Sequence, residues 1–473
     1  MTNSIEAYKT KIYQLIFGSA VVGIGLVVLK KSVATGSSRS IYIVAVLMGL
    51  AALILALDKY YWALGCFLIF LIDIPHVKIS GLELGAAVLV CMYFLQSIFR
   101  REASCKPEFP TFALLAPFLA WIALCFIQNP CGLYIFGSRS IGFRFYVTLT
   151  IGVAALFVLS RMAFSEKHAK ILFWIAMGGA LSFLAVSARI VQGAVSGAVF
   201  SDSLHYEFMQ MKNVAMLILC RFPLKRILSD WRILTCFATS SFLCIYTGNR
   251  TTAMTPAVSM FLLPFLRRKE RVTIFVVFAF AVFGIGFLAA GQGKLYRLPQ
   301  GIQKSLSFIP ADWDDRWQSY GFKDTFRDEL RQFAKELIRE KPWMGRKGFA
   351  MNLESASWIL ATAHDNSGHA FSGNWHNLWL GLAADFGIPC AAFFALFYAF
   401  AIAYAYRNIR IFPSGSWSET MYMFVFIRFL LILLISKLGG GHSAKTPQEA
   451  FLWFGFCLAL INGRKMHQNR SID

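Results

Sequence analysis

The chain has 473 residues, 57 % of them hydrophobic and only 15 % charged, against about 25 % charged in a soluble domain. Its 46 Phe and 12 Trp sit mostly in long apolar runs, more apolar surface than a water-soluble fold can hide, which excludes a soluble enzyme, a disordered scaffold and a disulfide-stapled secreted domain. The formal net charge of +21 gathers in short loops, where basic residues set topology and meet anionic lipid headgroups; the surplus also suits an anionic substrate, and no nucleic-acid partner is expected.

A membrane span needs roughly 20 apolar residues. Candidates lie near 12–29, 41–57, 60–73, 79–99, 109–127, 145–160, 171–190, 204–220, 233–249, 252–266, 272–290, 376–406, 418–435 and 450–462. The first run has no small-residue cleavage site after it and is expected to remain as an anchor. The expected fold is all-α: a polytopic transmembrane helical bundle of about 12–14 spans. Residues 1–59 read as an extra N-terminal transmembrane hairpin, 60–290 as the bundle and 376–473 as the C-terminal helices. Between them, 291–375 form one long loop.

Basic residues recur in every second connection: Arg100, Arg101 and Lys106; Arg161, Lys167 and Lys170; Arg221, Lys225, Arg226 and Arg232; Arg267, Arg268, Lys269 and Arg271; Arg407 and Arg410; Arg464, Lys465 and Arg470. That face is expected to be cytoplasmic. Lys30, Lys31 and Arg39 fall on the other face and break the pattern. The long loop is then periplasmic. Most of the ten Cys lie in or beside apolar runs as small hydrophobes. With Cys105 in a basic loop and Cys131 in a non-cytoplasmic one, no disulfide framework is expected.

Within the long loop, 324–341 reads as an amphipathic helix. Phe326, Leu330, Phe333, Leu337 and Ile338 share one face, Thr325 and Asp328 give a capping signal, and Pro342 ends the run. The helix either packs on the protein or membrane surface or forms a lid over a membrane-level cavity. His364, Asp365 and His369 lie in a stretch of turn composition whose spacing matches no firm metal-ligand pattern. No metal and no cofactor are expected.

Three residues stand at one predicted membrane face. Arg250, in YTGNRTTAM, either snorkels or contacts an anion; Asn249 and Thr251 beside it suit a phosphate oxygen. Arg316 follows Asp312, Asp314 and Asp315, which either neutralise it or leave it for a substrate. His376 and Asn377 open the 376–406 span directly after the long loop. A histidine there is an interface residue or a general base. Two guanidiniums suit a pyrophosphate, because each presents paired donors to phosphate oxygens. An imidazole beside them can take a proton from an attacking hydroxyl.

These residues resemble the O-antigen ligase and polymerase superfamily of bacterial inner-membrane glycosyltransferases. The ligase pattern is His, then Asn, Ser or Gln, nine residues, Gly, two residues, then Gly, Thr or Tyr. His376, Asn377, LWLGLAADF and Gly387 fit it, and Cys390 departs from its last position. TGNRTT resembles the family's Ser-Arg helix end, with Asn249 in the serine place. Asp315-Arg316-Trp317 followed by EKPWMGRKGF resembles its loop, although Arg346 and Lys347 stand where the family has one residue. QEAFLWFGFCLAL resembles its last span. The resemblance covers roughly residues 60–462.

It implies a type C glycosyltransferase-like fold in the bacterial inner membrane and metal-independent chemistry. Arg250 and Arg316 would bind the donor pyrophosphate and His376 would act on the acceptor, with Asn377, Asn249 and Thr251 lining the substrate. Asp385 lies too deep to meet His376 directly and is expected to be structural or substrate-lining. The implied donor is a polyprenyl-pyrophosphate-linked glycan. The acceptor is a hydroxyl on lipid A-core, or on a second lipid-linked glycan if the enzyme is a polymerase. A protein O-oligosaccharyltransferase is a further alternative. So is a lipid-linked glycan flippase or transporter, for which Glu83 and Arg428 would line a path.

Overall fold

The computed structural model describes residues 63–67, 81–99, 109–130, 143–178, 211–267, 270–315, 325–348, 373, 375–438, 443 and 445–470. Nearly all of these are helical, and no strand forms among them. The helices that position the site are α1 (Gly81–Phe99), α2 (Thr111–Gln128), α3 (Arg144–Ser160), α4 (Met211–Arg221), α5 (Trp231–Tyr246), α6 (Arg250–Leu266) and α7 (Arg271–Gly291). They are followed by α8 (Gln300–Leu306), α9 (Thr325–Glu340), α10 (Leu378–Phe386), α11 (Ile388–Asn408), α12 (Trp417–Leu438) and α13 (Lys445–Arg470). The chain is an all-α helical membrane protein. Three helical stretches, Thr111–Gln128, Arg271–Gly291 and Ile388–Ile411, are long and apolar enough to cross a bilayer.

The runs at 12–29 and 41–57 lie outside the described residues, and of the 60–73 run only 63–67 is described. One apolar run divides differently from its hydropathy. Residues 376–406 form two helices, α10 and α11, separated at Gly387. Both flanks are apolar, so nothing in hydropathy alone marks the break.

Helix α13 runs along α3 and α12, α3 also packs on α1, and α11 on α2. Helix α4 lies among α5, α6 and α12. Small residues allow the closest approaches, as expected where lipid supplies no hydrophobic drive between helices. A Cβ on Gly455 would stand 2.8 Å from Leu159, and one on Gly463 would overlap the Phe164 backbone. Along α7 the opposite holds: Phe280, Phe283 and Phe287 are largely exposed, as suits a helix facing acyl chains.

One end of the bundle is tied together by polar side chains. The Glu166 carboxylate accepts from Trp417 N and Ser418 N at the start of α12. Arg221 donates to the Gly415 carbonyl at 2.7 Å and stacks over Trp417 at 3.9 Å. Arg267 satisfies the Phe222 and Cys220 carbonyls, and Asn462 those of Ser160 and Met162. These are helix-end carbonyls with no intrahelical partner. Arg221, Arg267 and Arg464, each from a different basic connection, lie at this end.

Candidate active site

The first element of the site is the junction of α5 and α6. Asn249 adopts an extended conformation, and its Oδ1 accepts from Thr251 N at 3.0 Å, Thr252 N at 3.2 Å and Thr251 Oγ1 at 2.6 Å. That is an N-cap, which satisfies amides that a helix start leaves open. Arg250 is therefore the first residue of α6, beside the positive end of the helix dipole. Its Nη2 donates to Ser307 Oγ at 2.9 Å.

Ser307 is delivered by the beginning of the long loop. Helix α8 folds back over the junction so closely that Gly301 touches the Tyr246 carbonyl. Ile302, Leu306, Trp313 and Ala289 form a small apolar cluster beneath it. Gln303 fixes the turn by donating to the Leu298 carbonyl at 2.7 Å and accepting from Asp314 N at 3.1 Å. Asp314 pairs with Arg297 at 2.8 Å, so this carboxylate has a partner other than Arg316. The same fold-back lays the Lys304 side chain against Gly248, where a Cβ would stand 3.3 Å from its Cδ. Lys304 thus brings a cation against Gly248, two residues before Arg250, that no sequence pattern singles out. Only the fold-back, which has no periodic signal, brings it there.

The second element is the start of α10. Asn377 Oδ1 accepts from Trp379 N at 3.0 Å and Leu380 N at 3.1 Å, a second Asn cap. His376 immediately precedes it with φ of 52°, in the left-handed region that few side chains other than Gly occupy cheaply. The preceding Trp375 is buried. Its Nε1 donates to both Asp385 oxygens at 3.1 Å. Asp385 is fully buried; it forms an ion pair with Arg346 Nε at 2.7 Å and accepts from Ser443 Oγ at 2.5 Å.

Helix α9 covers this cluster. Leu330, Phe333, Ala334 and Leu337 pack on Trp375 and Ala384, and the Phe333 and Trp375 rings stack with centroids 5.7 Å apart. The amphipathic face thus docks on the protein, directly over the His376 turn. The turn after α9 then clasps the helix break. Arg346 N donates to the Ala384 carbonyl at 3.0 Å, Gly348 N to the Asp385 carbonyl at 2.7 Å, and Ile388 N to the Pro342 carbonyl at 2.8 Å. Trp121 Nε1 takes the Phe386 carbonyl at 2.8 Å.

Chain direction puts the two elements at one end of the bundle. Helix α4 ends at Arg221 against Gly415, next to the start of α12. Helix α5 then runs away from that end, so Arg250 opens α6 at the far one. Helix α12 runs 22 residues the same way, about 33 Å at 1.5 Å per residue. Beyond it, Ser443 N donates to the Gly373 carbonyl at 3.1 Å, three residues before His376. Arg316, His364, Asp365 and His369 lie outside the described residues. Among the described residues no group of three or more His, Cys, Asp or Glu is arranged to hold a metal.

Residues 235–395 match the family model described as O-antigen ligase. Over this segment the chain is similar to the O-antigen ligase family. The matched segment starts within α5, ends within α11, and contains Asn249, Arg250, Arg316, His376, Asn377 and Gly387. The similarity is to a superfamily of glycosyltransferase-like enzymes of lipopolysaccharide biosynthesis. The superfamily's substrates are, in general, lipid-linked glycans and a lipid A-core acceptor. No curated protein matches the chain. The charges that a transport path would use are paired: Arg144 with Glu83 at 2.8 Å, and Arg428 with Glu449 at 3.3 Å.

Proposed function

We propose that this protein transfers a glycan from a polyprenyl-pyrophosphate donor to a sugar hydroxyl at the periplasmic face of the inner membrane. The acceptor oxygen bonds to the anomeric carbon of the donor sugar. The bond from that carbon to the pyrophosphate oxygen breaks, and the polyprenyl pyrophosphate leaves with the bonding electrons. His376 takes the proton of the attacking hydroxyl. Arg250, Arg316 and Lys304 neutralise the leaving group, so the reaction proceeds without a metal. Asn249 and Asn377 hold the two helix starts from which Arg250 and His376 act, and Thr251 buttresses the first cap.

The observation that carries this reading is the pairing of two Asn-capped helix starts at one end of the bundle within the O-antigen ligase segment. One begins with a guanidinium and the other follows an imidazole. A charge contact placed on the developing anion contributes on the order of 10²–10³ in rate, and a general base about 10²–10⁴.

The test is transfer by the purified protein in lipid nanodiscs, using a synthetic polyprenyl-pyrophosphate glycan and lipid A-core, with and without a chelator. A single glycan added to lipid A-core, insensitive to chelation, supports the reading. Lengthening of the donor glycan with lipid A-core untouched points to the polymerase. Loss of activity on chelation contradicts neutralisation of the leaving group by Arg250, Arg316 and Lys304 without a metal.

A further inference from the structure

His376 is held from both sides. After it, Asn377 is committed to capping α10. Before it, Trp375 is committed to Asp385 through its indole N–H. Two residues further back, the Gly373 carbonyl accepts from Ser443 N at 3.1 Å. The Ser443 hydroxyl donates to Asp385 Oδ2 at 2.5 Å, with the Gly373 carbonyl 3.1 Å from the same hydroxyl oxygen. Arg346 pairs with Asp385 and lies 5.8 Å from the centre of the Trp375 ring, whose face Phe333 also stacks on. A backbone φ of 52° at a histidine persists only when the surroundings over-determine it. Here the surroundings are these named bonds.

We propose that Asp385, with Arg346, Trp375 and Ser443, is the positioning group of His376. A buried carboxylate receives the indole N–H on one side and a hydroxyl on another, and a guanidinium compensates its charge. Trp375 therefore has one orientation, and the residue after it is turned into the left-handed conformation that sets the direction of the imidazole. None of these four touches substrate; they act through His376. The proposal deepens the assignment of His376 as acceptor base and rests on it.

Two readouts separate the failure of one from the failure of the other. The first needs no substrate: the rate at which diethyl pyrocarbonate modifies His376, read by peptide mass spectrometry on the full-length protein in nanodiscs. Trp375→Phe keeps a ring against Phe333 and removes only the indole N–H; Ser443→Ala removes the hydroxyl and serves if Trp375→Phe does not fold. Both are expected to change the modification rate of His376 several-fold. The second readout is transfer. Misplacement of a reacting group by about 1 Å costs on the order of 100-fold, so kcat should fall about 10- to 100-fold with the donor KM unchanged. Arg346→Lys, which keeps the charge, should retain more activity than Arg346→Gln. Unchanged His376 modification in a folded Trp375→Phe or Ser443→Ala protein overturns the proposal. So does changed modification with wild-type kcat. Full activity in His376→Ala would instead overturn the base assignment and leave the modification result standing by itself.

Discussion

The carbonyl of Trp343 occupies the space that a Cβ on Gly387 would need. Gly387 has φ of 90°, so no other residue fits there on either ground. The glycine of the His-Asn-x9-Gly pattern is thus where α10 ends and where the Pro342–Gly348 turn closes over it. Gly387→Ala combines left-handed strain, about 1–3 kcal/mol, with an overlap against backbone. Thermal unfolding in nanodiscs should show a loss of at least about 2 kcal/mol. An unchanged melting temperature would mean that the turn does not clasp the break in this way.

The two asparagine caps make separable predictions. Asn249→Ala and Asn377→Ala should each cost about 0.5–2 kcal/mol of stability. Ser or Asp at either position restores a side-chain acceptor and most of that loss. If transfer follows stability through the Ser variants, the asparagines serve as caps. Stable Ser variants with lost transfer would mean that the amides contact substrate directly.

Glu83 and Arg144 pair inside the bundle, and Thr148 donates to the same carboxylate at 3.1 Å. Removing one charge strands the other, so Glu83→Gln and Arg144→Met should each cost about 3–5 kcal/mol. The double variant should recover a good part of it, because no buried charge remains. A double-mutant cycle on unfolding free energies checks this. Additive losses would show that the pair is not coupled, and would return Glu83 to consideration as a path-lining charge.

Lys304 tests the anion assignment of the α6 start. A hydrogen bond to a charged group contributes about 1.5–3 kcal/mol. Lys304→Ala should therefore raise the donor KM about tenfold or more, with the acceptor KM and protein stability little changed. Arg250→Ala should do more, since it also removes the bond to Ser307. Steady-state kinetics with a soluble pyrophosphate-linked donor analogue give the comparison. Unchanged donor KM in both variants would exclude the junction as the pyrophosphate site.

Much of this was legible in the residues. Apolar runs gave most helices to within a few positions, because lipid-facing helices must be apolar along their length. The amphipathic face of 324–341 was readable from Leu330, Phe333 and Leu337, which are the residues that dock. What the sequence could not show was contact across elements. Asp385 read as structural or substrate-lining; the role proposed for it rests on Trp375, Arg346 and Ser443 around it. Lys304 had no pattern of its own, and the fold-back of α8 depends on Gly301 meeting the Tyr246 carbonyl. The break at Gly387 was visible as a motif position but not as a helix end, because hydropathy runs unbroken through it.

The most direct measurement is the transfer rate of His376→Ala at saturating donor and acceptor, alongside donor binding by the same protein. Loss of a general base costs about 10²–10⁴ in rate. His376→Ala should lose transfer in that range with donor affinity unchanged. Wild-type turnover in a folded His376→Ala protein would contradict the base assignment.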